Sequence, residues 1–161
     1  VSAGPGILIL GIDPGSIKTG WGVIRKEGQR MIHVDNGLIM PPAGMDFKDR
    51  VAFIFKGVLD TIDAFAPHHL SLEDIFMAKN AQSALKLGHV RGAVIAAAFL
   101  RGVPVAQYTA SHVKQAVTGN GRAEKFQIQE MVRVILGLRE IAQEDASDAL
   151  ANALTHAFTL R

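Results

Sequence analysis

The sequence has no cysteine, and only one tryptophan and one tyrosine. Without thiols there are no disulfides, no zinc ribbons and no thiol catalysis, so any metal must be held by Asp, Glu, His or carbonyl groups. Long apolar runs are lacking too. The longest, Gly92 to Leu100, falls well short of the roughly 18 residues a membrane span needs, and Arg101 follows it. There is no basic, signal-like start. Residues 1–6, small and uncharged, read as a flexible tail ahead of one domain over 7–161. These absences fit a cytoplasmic protein without a membrane partner. A further scarcity is local: from Ile75 to Ala123 there is neither Asp nor Glu. That stretch carries Lys79, Lys86, Arg91, Arg101, Lys114 and Arg122, with His89 and His112, while the fifteen acids flank it. A segment of this kind can form a positive surface for a polyanion, or simply a solvated basic face. The net charge of +2 does not choose between them.

What is present suits one globular domain: 161 residues, 48% apolar and 20% charged. Ile7 to Ile12 (ILILGI) reads as a buried strand running into the turn Asp13-Pro14-Gly15. Thr19 to Arg25 and Met31 to Met40 read as two more strands, with Gly28 in the turn between them. After Pro41, Pro42 and Gly44 the apolar spacing changes. Val51, Ile54, Phe55, Val58, Leu59, Ile62 and Phe65 recur at three and four, an amphipathic helix ended by Pro67. His68 to Glu73 alternates as a fourth strand, and Val103 to Tyr108 reads as a fifth. Asn80 can cap a small-residue helix reaching about Leu100, and further helices are expected near 111–117, 123–136 and 146–158. The order predicts an α/β fold, a five-stranded mixed sheet flanked by helices, and its layout resembles the ribonuclease H-like fold.

Four acids stand out. Asp13 ends what should be a central strand, where it either faces a site or caps the Pro14-Gly15 turn. Glu73 and Asp74 end the fourth strand on opposite faces. If Leu70 and Leu72 point inward, strict alternation selects Asp74, unless the strand is buried on both sides; periodicity alone leaves this open. Asp145 and Asp148, three residues apart, share one face at the start of the last helix. They could equally be ordinary first-turn acids favoured by the helix dipole, with Glu144 the plainer cap. Should all of these acids converge, their like charges would need cations. Hard oxygen donors select magnesium or manganese, and two such ions can clamp a phosphodiester for hydrolysis.

Several blocks resemble the RuvC resolvase family. They are Gly11-Ile-Asp-Pro-Gly-Ser16 with Thr19-Gly-Trp-Gly-Val23, Leu72-Glu-Asp-Ile-Phe-Met-Ala-Lys-Asn80 with Ser83-Ala-Leu-Lys-Leu-Gly88, Val113-Lys-Gln115 with Gly119-Asn-Gly121 and Ala123-Glu-Lys125, and Asp145-Ala-Ser-Asp-Ala-Leu150 with Thr155-His156. The resemblance runs from Ile7 to about Phe158. It implies a Holliday junction endonuclease of DNA recombination and repair. The implied ligands or catalytic carboxylates are Asp13, Glu73, Asp145 and Asp148, taking two magnesium ions per subunit, with manganese as a substitute. Some family members have histidine at the position of Asp145. The resemblance also implies four-way junction DNA as substrate, a homodimer joined through the 80–100 helix, and RuvA and RuvB as partners. Phe76 matches a position beside the site that can wedge into or stack on bases, although core packing claims most phenylalanines. Lys114 and Lys125 match phosphate-holding positions, Lys79 and Arg91 are further DNA candidates, and His156 is a candidate catalytic group. Two rival readings share features of the chain. Asp13-Pro-Gly-Ser16 is similar to the first phosphate loop of actin-like and sugar-kinase ATPases, which need a second domain. A non-catalytic junction-binding module would need only the basic stretch and Phe76.

Overall fold

The computed structural model describes residues 6–74 and 80–161. Strands β1 (Ile7–Asp13), β2 (Thr19–Glu27) and β3 (Arg30–Ile39) form an antiparallel meander. Gly28 turns the chain between β2 and β3 at φ +60°. Strands β4 (His69–Asp74) and β5 (Val105–Thr109) join in parallel on the other side of β1, giving the order β3-β2-β1-β4-β5. β1 is thus central, which is why its ILILGI run is apolar on both faces.

Two helix layers cover the sheet. On one face lie α1 (Phe47–Phe65) and α2 (Ala81–Leu100). α1 buries Ile54, Val58 and Ile62, and α2 buries Val90, Val94, Ala97 and Ala98, against Leu10, Ile12, Val23, Leu70 and Leu72 of the strands. On the other face lie α3 (Ala110–Thr118), α4 (Lys125–Leu136) and α5 (Glu144–Thr159), packed around Ile9 and Ile24. α1 ends where Ala66, just before Pro67, leaves the helix at φ 46°. Asn80 caps α2 by accepting the Ser83 N–H at 2.8 Å. The arrangement is the expected α/β, ribonuclease H-like one.

α2 is 20 residues long with a mean hydropathy of 1.3 over its most apolar window, enough in length and composition for a membrane span, contrary to the expectation from uninterrupted runs. Val90, Val94, Ala97 and Ala98 pack on α1 and the sheet, Leu85, Phe99 and Leu100 stay exposed, and Lys86 and Arg91 interrupt the apolar run. The expected tail falls mostly on residues 1–5, outside the described residues, as do Phe76 and Lys79.

Two cores on one sheet settle the parity of the acids. On β1, Leu10 and Ile12 face α1 and α2, so Ile9, Gly11 and Asp13 face α5. On β4, Leu70 and Leu72 share the α1–α2 face, which sends Ser71 and Glu73 toward α5 and Asp74 toward α2. The inward leucines therefore lie on the face opposite the site.

Candidate active site

The site is built by how closely α5 lies on the sheet. Gly11, Gly20 and Gly22 present no side chains on the α5 face of β1 and β2. A Cβ on Gly11 would stand 1.8 Å from the Ala149 carbonyl oxygen, and one on Gly20 would stand 2.0 Å from that of Asp145. Only bare backbone admits the helix at this distance. Two buried polar contacts then pin it. Asn152 Nδ2 donates to the Ile12 carbonyl at 2.8 Å, and Ser71 Oγ donates to the Asn152 carbonyl at 2.8 Å. The start of α5 is thereby fixed over the C-terminal ends of β1 and β4, where Asp13 and Glu73 lie in adjacent register positions. Asp145 and Asp148 project from its first turns.

The electrostatics show that these carboxylates act on one another. Asp13 is pushed up to about 7, first by burial and then by the charges of Asp148, Asp145 and Glu73. Burial, then Asp148, raises Glu73, while Lys114, Lys125 and Arg91 oppose. Burial likewise raises Asp148 against the pull of Lys125. Asp145 departs from the pattern. Burial works to raise it, but Lys18, 2.8 Å away, and Gln143 Nε2, also 2.8 Å away, together hold it below the usual range. Asp13 is not a turn cap: Thr19 Oγ1 closes that turn, accepting the Gly15 N–H and donating to the Gly15 carbonyl.

Lys125 Nζ lies 2.5 Å from Glu144 and 3.1 Å from Asp148. Burial works against its charge, yet these two hydrogen bonds hold its ammonium above the ordinary lysine range. Beside it opens a cleft of about 220 Å³ lined by Glu73, Lys114, Lys125, Ile128 and Asp148, among others. Lys18 pairs with Asp145 and Lys125 with Asp148, and no three metal-binding side chains converge tightly among the described residues. The donors nevertheless suit a hard divalent cation. They are all carboxylate oxygens, and three of the four are raised toward the neutral form, first by burial and then by the charges of neighbouring acids.

A family model described as crossover junction endodeoxyribonuclease RuvC matches residues 9–156. The chain belongs to the RuvC family. The RuvC of Citrifermentans bemidjiense is 58% identical over 151 residues, covering 94% of this chain and 92% of that protein. That of Geobacter sulfurreducens is 52% identical over 149 residues, covering 92% and 91%. Among solved structures, Thermus thermophilus RuvC in complex with a Holliday junction substrate superposes with a TM-score of 0.89 at 38% identity, covering 94% of this chain and 93% of that one. The yeast mitochondrial Holliday junction resolvase, 15% identical with a TM-score of 0.67, shares the fold.

Within this chain the remaining candidates separate. Lys114 and Lys125 line the cleft. Arg91 does not: it is 15% exposed and faces Asp74 at 3.2 Å, an ion pair on the α1–α2 side. His156 sits about two turns beyond Asp148 on α5, where its Nδ1 meets the Tyr108 hydroxyl at 2.7 Å and its ring packs on His69. Burial, then His69 and Lys26, lowers it to about 4, so it is a neutral packing group remote from the cleft. Glu144 is not the cap of α5. Gln143 Oε1 accepts the Asp145 and Ala146 N–H groups, which leaves Glu144 to Lys125. The acid-free stretch does not form one surface either. Arg101 pairs with Asp63 and Lys86 lies over Phe47 on the α1–α2 side, while Lys114 and Arg122 lie across the sheet. Lys18 and Gln143 carry no signal in the sequence, and Glu144 is legible there only as a cap, because only the fold brings Lys18 beside Asp145 and Glu144 beside Lys125.

Proposed function

We propose that this chain is a Holliday junction resolvase, a structure-selective endodeoxyribonuclease of recombination and repair that makes paired symmetric nicks in four-way DNA. The observation that supports the reading is the mutual charge interaction of Asp13, Glu73, Asp145 and Asp148 on the α5 face of the sheet, beside a cleft with two lysines. Two magnesium ions, or manganese in their place, on these carboxylates would supply water activation and charge neutralisation at the leaving oxygen. Asp13 and Glu73 are the rigid part of the set, fixed by two adjacent strands. Lys114 lines the cleft with Glu73, which supports a role in holding a phosphate. Its action on chromosomal DNA suggests a cytoplasmic setting, and family membership suggests RuvA and RuvB as partners.

The test is cleavage of a mobile four-way junction, with magnesium or with chelator, against a linear duplex of the same sequence. Metal-dependent symmetric nicks confined to the junction are expected. Tight junction binding without cleavage would instead favour a binding module, and equal cutting of both substrates would reject junction selectivity. In the same assay Lys114→Ala should weaken binding and lower the slope of log K against log salt by about one. An unchanged slope would remove Lys114 from phosphate contact.

A dimer would present two such sites to a fourfold junction with matching symmetry. The surface we assign to it is the outer face of α2, where Leu85, Gly88, Gly92, Ala96 and Phe99 recur at helical spacing and Phe99 is 82% exposed. A side chain on Gly88 would meet open space within the chain. Gly88→Arg should therefore fold normally but sediment as a monomer; a persisting dimer would place the interface elsewhere.

A further inference from the structure

On the far side of α4 from the buried core, Phe126 is 63% exposed. It lines a slot of about 340 Å³ with Thr118, Asn120, Ala123, Gln127, Glu130 and Met131. Two adjacencies join this slot to the carboxylate cleft. Lys125 lines the cleft, and the next residue, Phe126, lines the slot; Lys114 lines the cleft, and Thr118, one turn further along α3, lines the slot. Thr118 Oγ1 donates to the Lys114 carbonyl at 2.7 Å, which fixes the step between them. A strand whose phosphate lies in the cleft thus has its neighbouring nucleotide within reach of the slot.

The lining suits the edge and face of a base. Asn120 Oδ1 accepts the Arg122 N–H at 3.0 Å and Gln127 Oε1 accepts the Glu124 N–H at 2.8 Å. Both amides are thereby oriented with their NH2 groups left to donate elsewhere. Glu130 offers an acceptor whose charge is offset by Arg133 at 3.0 Å. An aromatic face with such donors and an acceptor matches the π-face and polar edge of a nucleobase. Exposed Arg122, at the mouth of the α3–α4 loop, adds positive charge on the strand's path.

We propose that the slot beside Phe126 is a subsite for one unstacked nucleobase of the junction strand whose phosphate the carboxylate cleft holds. The inference rests on the nuclease reading above. It is tested with four-way junctions carrying 2-aminopurine at successive positions around the cut, bound to the chain and to Phe126→Leu, Phe126→Ala and Phe126→Trp. At one position the unsubstituted chain should brighten the fluorophore by drawing it out of the base stack, and the leucine and alanine variants should leave it dimmer, with junction affinity about tenfold weaker. Phe126→Trp should restore the affinity, and thermal stability should be nearly unaffected, since the ring is outside the core. If all variants bind and brighten the fluorophore like the unsubstituted chain while junction cutting proceeds, the base subsite is refuted and the nuclease reading stands. If the unsubstituted chain neither binds nor cuts the junction, both fall.

Discussion

Asp13→Asn is expected to abolish junction cutting, by at least about a thousandfold, while leaving junction binding in place and making the metal-free protein more stable at pH 8. The two effects share one cause. Asp13 is raised from 3.8 to about 7 by burial and by three neighbouring carboxylates. In the unfolded chain it loses its proton near pH 4; in the folded chain it keeps it to about pH 7. Between those values the unfolded state is the one that releases the proton. Stability is therefore lost as pH rises through that window, and it stays lost above it. Some three pKa units at about 1.4 kcal/mol each set a ceiling near 4 kcal/mol, and the solvent-open cleft brings the expectation to about 2–4 kcal/mol. Asparagine keeps the shape and removes the charge. Its melting temperature should exceed that of the parent at pH 8 and converge on it at pH 4. Magnesium should stabilise the parent much more than the variant. A variant that cuts at the parent rate would remove Asp13 from the chemistry. One that is less stable at pH 8 would show that its charge is not under strain.

Element order was legible because the apolar period switches cleanly from two to between three and four at residue 46 and back at 68. Asp13, Asp145 and Asp148 were legible as candidates because each stands at the end of a strand or the start of a helix. The choice between Glu73 and Asp74 was not legible from alternation. That argument assumes one core, whereas this sheet has two, and fully buried Ser71 shows that the face without leucines is also covered. Charge patterning failed for a related reason. The acid-free stretch threads α2, β5 and α3, which cross from one layer of the sheet to the other, so its cations part company. The ion pairs that shape the cleft join residues far apart in the chain, Lys18 with Asp145 above all, and no local pattern encodes them.

The glycines of the α5 seat give the second large effect. Gly20→Ala should lower the melting temperature by about 5–10 °C and cutting by about a hundredfold, with junction binding less affected. The added methyl would lie 2.0 Å from the Asp145 carbonyl oxygen and 2.3 Å from its carbon, both backbone atoms at the first turn of α5. No rotamer change relieves that overlap, so the helix start must lift away from β2. The lift moves Asp145 and Asp148 relative to Asp13 and Glu73, which the strands hold in place. A displacement of about an ångström suffices for a loss of that size in a site whose work is positioning. Gly22→Ala is the control, because its methyl would meet mainly side-chain atoms of Leu150, with Cγ and Cδ2 2.6 Å away, rather than the backbone of the first turn of α5. It should lose stability by a smaller margin and retain most cutting. Equal losses in the two variants would mean that core crowding alone is being measured. A Gly20→Ala protein that melts and cuts like the parent would show that α5 does not need its close seat on β2 to align the carboxylates.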